Sequence, residues 1–341
     1  MSSRKGEAVK KLSDITREVF NKDPISLETN GINSFLSNKN KMKVNIIALG
    51  DVGTNVLMGL KLLGGDVIEE IGIFDVNGDQ LKRLEMEFNQ MYYPPTHANE
   101  MPPVKILDED SLYDCHVLIF CASKGVPAVG AQGDMRMMQL KANLELVSVI
   151  GGNLKKYNEN ADKPFNGLVC VVSDPVDQLC RGMEKAAGLE PGRVRGFGLG
   201  VMAARARYYA MRDERFSSYL TEGRAFGPHG QDLVIANSID NYDDEISKEL
   251  TKLTVEANMR VRDLGFKPFL APAISSAALS ILLTLRGEWC YGSVFFGTEE
   301  DRGAYMGVLS RLTPYGIEYE DPELPDSLYD RILAAYNNLL D

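Results

Sequence analysis

A glycine turn, an isolated aspartate and a glycine-flanked histidine are the residues of this chain whose types and spacing point most directly to chemistry. Ala48-Leu49-Gly50-Asp51-Val52-Gly53 follows the apolar run Val44 to Ile47. Gly50 lets backbone approach a pyrophosphate without a clashing Cβ, and Gly53 lets the next helix pack close to a sheet. That helix, Val52 to Leu63, turns unpaired N–H groups and a positive dipole end toward the phosphate, so Ala48, Gly50, Asp51, Val52 and Gly53 form a candidate cradle. Asp75 closes the apolar run Ile71 to Phe74, 22 residues after Gly53. An acid there suits the ribose hydroxyls of NAD and repels the extra phosphate of NADP. Ala48 stands where G-x-G-x-x-G has its first glycine, and a half-matched glycine pattern alone is more often an ordinary tight loop. The strand before it, the helix after it and the acid beyond it turn the reading toward NAD.

The chain has three histidines, the side chains best suited to proton transfer near neutral pH. His97 lies in a proline-rich polar loop and reads as a surface residue. His116 opens the strand Val117 to Phe120 at the end away from a ligand edge, where core packing is its natural role. His229 lies in Gly227-Pro228-His229-Gly230, where backbone can come close to a ligand and the ring can be presented outward. A glycine-flanked histidine taken alone is more often structural than catalytic, so its meaning depends on what surrounds it. The five cysteines, Cys115, Cys121, Cys170, Cys180 and Cys290, form no C-x-x-C pair and read as reduced thiols, with no metal site expected.

The elements that must position these residues alternate strand and helix from Lys43, the signature of a doubly wound parallel sheet. Strands are predicted at 43–48, 69–74, 103–107, 116–121, 168–173 and 193–197, and helices at 52–63, 78–90, 136–157 and 176–187. The strands are apolar throughout, as expected when helices cover both faces. Ligands of such sheets lie beyond the carboxyl ends of the strands, here the segments 48–53, 75–77, 121–135 and 173–177. Cys121, Ala122 and Ser173 therefore join the candidate cofactor edge. After Gly198 the rhythm changes, with helices predicted at 201–214, 244–264, 273–286 and 326–340. The expected fold class is α/β, a Rossmann-type sheet over 43–198 plus a C-terminal α+β substrate domain over 199–341. Residues 1–42 stand apart, as a loosely attached tail or as an arm that packs on a neighbouring subunit.

Composition bounds the function. Of 341 residues 44% are hydrophobic and 25% charged, ordinary for a globular chain, and the length suits two domains. A formal charge of −11 and the lack of a basic tract argue against a nucleic-acid partner. No apolar stretch has membrane-spanning length, and Met1 to Lys11 lacks the apolar core of a signal peptide, so no membrane and a cytoplasmic location are expected.

Taken together and in order, four motifs resemble the lactate/malate dehydrogenase family, over most of the chain from Lys43 onward. They are the turn Ala48 to Gly53 with Asp75, the segment Asp174-Pro175-Val176-Asp177 after Ser173, the helix Ala204-Arg205-Ala206-Arg207-Tyr208, and the turn around His229. The resemblance implies hydride transfer between NAD(H) and a 2-hydroxy or 2-keto acid, with His229 as acid/base, and a homodimer or homotetramer. It implies that Arg205 clamps the substrate carboxylate and that Arg136, after the glycine-rich loop Gly125 to Gly133, polarises the carbonyl when the loop closes. Each arginine also has an ordinary reading, Arg205 as a salt-bridged structural residue and Arg136 as a helix-start surface residue.

The departures from the family pattern are informative. The family pairs its histidine with an aspartate three positions before the carboxylate-binding arginine, and here that position is Met202. The family's asparagine before Pro-Val-Asp is Asp174, which contacts substrate and cofactor in the implied site. One expectation joins the two: Asp174 or Asp232 stands in as the partner of His229. The loop 125–135 lacks the extra arginine of malate-type members, and Leu270 near the other pocket wall leans apolar. A monocarboxylic 2-keto acid is therefore expected, unless Lys124 supplies the missing charge. Two competitors remain. Met202 favours an NAD-binding protein of this fold without turnover, in a sensor or assembly role. The NAD- and metal-dependent glycosidases have a similar fold, but Gly196 to Gly200 offers neither the cysteine nor the histidine that they need.

Overall fold

The computed structural model describes residues 10–29, 41–94, 100–124 and 135–340, with backbone alone at 135–138. The chain enters through a short strand β1 (Lys10–Lys11) and helix α1 (Asp14–Phe20). An alternation follows: β2 (Met42–Ile47), α2 (Asp51–Leu63), β3 (Ile68–Phe74), α3 (Gly78–Asn89), β4 (Val104–Ile106) and β5 (Val117–Phe120). It continues with α4 (Met135–Asn160), β6 (Leu168–Val171), α5 (Val176–Ala187) and β7 (Val194–Gly196). All six parallel strands expected from the sequence are present. They pair in the order β4-β3-β2-β5-β6-β7, so the strand order reverses between β2 and β5. The carboxyl ends of these two strands flank the crevice in which dinucleotides bind in such sheets. Residues 117–120 and 168–171 are fully buried, as expected for strands covered on both faces.

Beyond β7 come α6 (Leu199–Ala210), the hairpin β8 (Arg224–Phe226) and β9 (Val234–Ala236), and the long helix α7 (Asp244–Asp263). Asp243 caps α7 by accepting from the Ile246 N–H at 3.0 Å. A π-helical turn (Pro272–Ala278) runs into α8 (Leu279–Leu285). Then β10 (Cys290–Gly297), β11 (Gly303–Thr313), β12 (Gly316–Tyr319), β13 (Glu323–Leu324) and α9 (Asp326–Leu340) complete the fold. Strands β10, β11 and β12 extend the parallel sheet through an antiparallel contact of Ser293 with Gly196, giving nine strands in one sheet. The sheet thus runs across the boundary expected at 198/199.

Residues 10–29 do not stand off as a tail. Strand β1 pairs with β13, and Leu12 and Ile15 are fully buried in the main core. Ser13 donates to Asp321 at 2.7 Å, Tyr329 donates to Glu18 at 2.9 Å, and the Ile25 N–H reaches the Gly297 carbonyl at 2.8 Å. This stretch covers the C-terminal part of its own chain, the alternative that the sequence reading did not weigh. His97 and the loop 125–134 lie outside the described residues.

Candidate functional site

The glycine turn folds as the sequence leads one to expect. Gly50 caps α2, and a Cβ placed on it would meet nothing within 4 Å, so the space above the helix start is open to a ligand. At Gly53 a Cβ would fall 2.0 Å from the Ala48 carbonyl oxygen, so only glycine lets α2 start this close to β2. Ala48 itself sits at φ 71°, the left-handed conformation for which the usual first glycine is suited. Asp75 ties the edge together: Oδ2 accepts from the Leu49 N–H at 2.7 Å and Oδ1 from the Asn77 N–H at 2.9 Å. Its carboxylate is half-buried and holds the two loops at the ends of β2 and β3. The open space over Gly50, the N–H groups of the first turn and the acid beside them fit a dinucleotide's pyrophosphate and ribose.

The neighbouring strand ends are knitted by side chains. Ser173 donates to the Ala122 carbonyl at 2.7 Å. Buried Asn143, on α4, donates to the Asp174 carbonyl at 2.7 Å and to Ser123 at 3.3 Å, while it accepts from the Lys124 N–H at 2.7 Å. One amide thus fixes the loops after β5 and β6 against each other. The sequence reading missed Asn143. Its signal was a polar residue on the stripe Leu140, Leu144, Val147, where an amide is retained only if it finds partners. Cys121 is buried, which pushes its thiol up to about 12 and keeps it neutral.

His229 lies in the β8–β9 turn between Gly227 (φ 90°) and Gly230 (φ 122°). Both glycines occupy left-handed backbone, and this shape brings the histidine over the start of α6, where a Cβ on Gly198 would lie 3.0 Å from the His229 Cβ. Nδ1 of His229 lies 3.3 Å from Oδ1 of Asp174. The pair is at ion-pairing distance, and contacts of this kind commonly tighten once substrate binds. The histidine side chain is 20% exposed and the aspartate 48%, so the ring is sheltered and its partner faces solvent. No ion pair joins Asp232 to His229 among the described residues; Asp232 serves the turn at φ 66°.

Arg205 projects from the middle of α6. Burial pushes its guanidinium below the usual arginine value, an effect that Asp174 opposes through its charge. Nη1 contacts the Met202 sulfur at 3.5 Å, and no carboxylate pairs with Arg205 among the described residues. Met202, 2% exposed, is a core residue. A half-buried arginine with no carboxylate paired to it among the described residues, and only the more distant charge of Asp174 acting on it, suits a site that receives an anion. The π-helical turn sets α6 in place: Ser276 accepts from the Val201 N–H at 2.7 Å and donates to the Gly198 carbonyl at 2.6 Å. Leu270, 61% exposed, lies just before that turn. The backbone of Arg136 lies in the first turn of α4; its side chain is outside the described residues. Among the described residues no cluster of three or more His, Cys, Asp or Glu could hold a metal ion.

Residues 42–196 match the model of the lactate/malate dehydrogenase NAD-binding domain. Over longer stretches the chain is 24% identical to the L-lactate dehydrogenase of Macrococcus caseolyticus, covering 82% of this chain and 92% of that one. It is likewise 24% identical to the L-lactate dehydrogenase B chain of Homo sapiens, over 82% and 79% of the two chains. The segment 42–196 belongs to the lactate/malate dehydrogenase NAD-binding domain family, and similarity to lactate dehydrogenases extends over 82% of the chain. The matched domain is an NAD-binding domain, so NAD is the cofactor. Solved structures share its fold. The minor L-lactate dehydrogenase of Enterococcus mundtii superposes with a TM-score of 0.70 at 19% identity, over 88% of this chain and 96% of that one. The malate dehydrogenase of Archaeoglobus fulgidus in complex with NADH gives 0.67 at 19%, over 87% and 97%. Met202 and Asp174 stand where the motif resemblance drawn from the sequence expects an aspartate and an asparagine. No helix among the described residues is long and apolar enough to cross a membrane.

Proposed function

We propose that this protein is an NAD-dependent 2-hydroxy acid dehydrogenase that has moved its catalytic carboxylate from the Met202 position to Asp174. The observation that carries the reading is the 3.3 Å approach of Asp174 to His229 Nδ1. With Nδ1 facing a carboxylate, the proton on that nitrogen is fixed and Nε2 is left to exchange a proton with the substrate oxygen. The bound cofactor would supply the redox chemistry, NADH as hydride donor to a keto carbon and NAD+ as hydride acceptor from a hydroxy acid. His229 gives the oxygen its proton in the reducing direction, and Asp174 stabilises the charged ring in the other. Arg205, with no counter-ion among the described residues, receives the substrate carboxylate two-toothed. Arg136 is assigned the carbonyl-polarising role by resemblance. In this reading residues 43–198 carry the cofactor, 199–341 the substrate side, and the assembly is a homodimer or homotetramer.

The preferred substrate is a monocarboxylic 2-keto acid. The loop 125–135 offers no arginine for a second carboxylate, and an unpaired buried charge is costly. Lys124 immediately precedes that loop, and its exposed side chain decides whether oxaloacetate is also accepted. Steady-state NADH oxidation with pyruvate, longer apolar 2-keto acids and oxaloacetate tests this directly. Preference for oxaloacetate that disappears in Lys124→Ala would reverse the substrate assignment.

Met202 supports a second reading, an NAD-binding protein of this family without turnover. Thermal stability separates the two. A keto acid that raises Tm only in the presence of NADH indicates an ordered ternary site. NADH stabilisation with no further effect of any keto acid supports the non-catalytic role.

A further inference from the structure

Asp51 is the first residue of α2, next to Gly50, and its carboxylate is 55% exposed. A carboxylate there is favoured by the same dipole field that draws a pyrophosphate to a helix start. The two anions therefore compete for one field and repel each other when the dinucleotide is bound. Lys267 lies at the same place: its Nζ is 3.4 Å from Asp51 Oδ2, with the lysine 70% exposed. It comes from the other half of the chain, in the segment between α7 and the π-helical turn. That turn is seated on α2, since a Cβ on Gly59 would lie 2.5 Å from the Ala278 Cβ. The segment carrying Lys267 leads into this turn, and its long, 70% exposed side chain retains room to move. An exposed lysine–aspartate pair adds little to stability, so the pair itself gives no reason for its position.

We propose that Lys267 is the counter-charge for the NAD pyrophosphate. In the absence of dinucleotide Asp51 occupies the lysine, and on binding Nζ leaves Asp51 for a phosphate oxygen. Asp51 acts as a built-in competitor that lowers dinucleotide affinity, and Lys267 offsets it. The inference rests on NAD as cofactor and not on the keto-acid reaction.

The test is the dissociation constant of NADH, ADP-ribose and adenosine, by fluorescence or calorimetry, for four proteins. These are the wild type, Lys267→Ala, Asp51→Asn and the double variant; both sites are exposed, and an unchanged Tm confirms that each variant is folded. Lys267→Ala should weaken NADH and ADP-ribose about threefold to tenfold, in the range of an exposed charge-assisted contact, and leave adenosine unchanged. Asp51→Asn should tighten both pyrophosphate ligands, and Lys267→Ala should still weaken them in that background. The proposal is overturned if ADP-ribose binding ignores Lys267, or if adenosine suffers equally. It is also overturned if the loss vanishes in Asp51→Asn, for then the lysine only neutralises the aspartate. A wild type that binds none of the three ligands overturns the cofactor assignment and this proposal with it.

Discussion

At the scale of single residues, the site depends on where one carboxylate sits. In the family pattern the partner of the histidine precedes the arginine by one helical turn, but here that place holds a buried methionine touching Arg205. Asp174 approaches the ring from the loop after β6 instead. Asp174→Asn should therefore lower kcat by about a hundredfold or more while NADH still binds. Adding Met202→Asp to that variant should return part of the loss, because it restores the partner from the other side. An Asp174→Asn protein with wild-type kcat would remove the carboxylate from the mechanism. Arg205→Lys should raise the keto-acid KM about tenfold or more, since an ammonium cannot make the two-toothed contact, again with NADH affinity intact. The order of the motifs made His229 and Arg205 legible in the sequence. The choice between Asp174 and Asp232 was not, because it depends on how the β8–β9 turn meets the loop after β6, a contact between residues 55 positions apart.

At the scale of elements, α2 carries two tests of local physics. Gly53→Ala should abolish tight NADH binding and lower Tm, because the new Cβ would sit 2.0 Å from the Ala48 carbonyl. Ala48→Gly should instead stabilise the fold by about 1 kcal/mol, as it relieves a side chain held in left-handed backbone. Lys61, on the same helix, is 3% exposed and donates to the Pro102 carbonyl at 2.9 Å. Burial lowers its pKa from the usual 10.5, so the native state releases this proton at lower pH than the unfolded chain does. Native stability should then rise with pH through the window below 10.5, and Lys61→Met should lose that rise in chemical denaturation. Denaturation curves with the same pH dependence in both proteins would refute it. The parallel strands were readable as short apolar runs between helices. The hairpin β10–β11 was not, because it too is buried on nearly all sides and so lacks the alternation that marks a half-exposed strand.

At the scale of the whole molecule, the N-terminal stretch closes the C-terminal part and the sheet joins both halves. Its apolar positions showed in the sequence, but the surface that they cover is built from β13, α9 and the loop after β10, all more than 270 residues away. Deleting residues 1–29 should cost about 3 kcal/mol or more, since Leu12 and Ile15 are each fully buried, and an unchanged Tm would show that this packing is dispensable. The nine-stranded sheet brings the NAD cradle, the Asp174–His229 pair and Arg205 to one edge, and the central claim is that they act together on a 2-keto acid. The most direct measurement is NADH oxidation by the purified protein with pyruvate and longer apolar 2-keto acids, alongside His229→Asn and Asp174→Asn. The account expects turnover on a monocarboxylic acid that is lost in both variants while both still bind NADH. Tight NADH binding with no turnover on any keto acid, or turnover indifferent to Asp174, would contradict it.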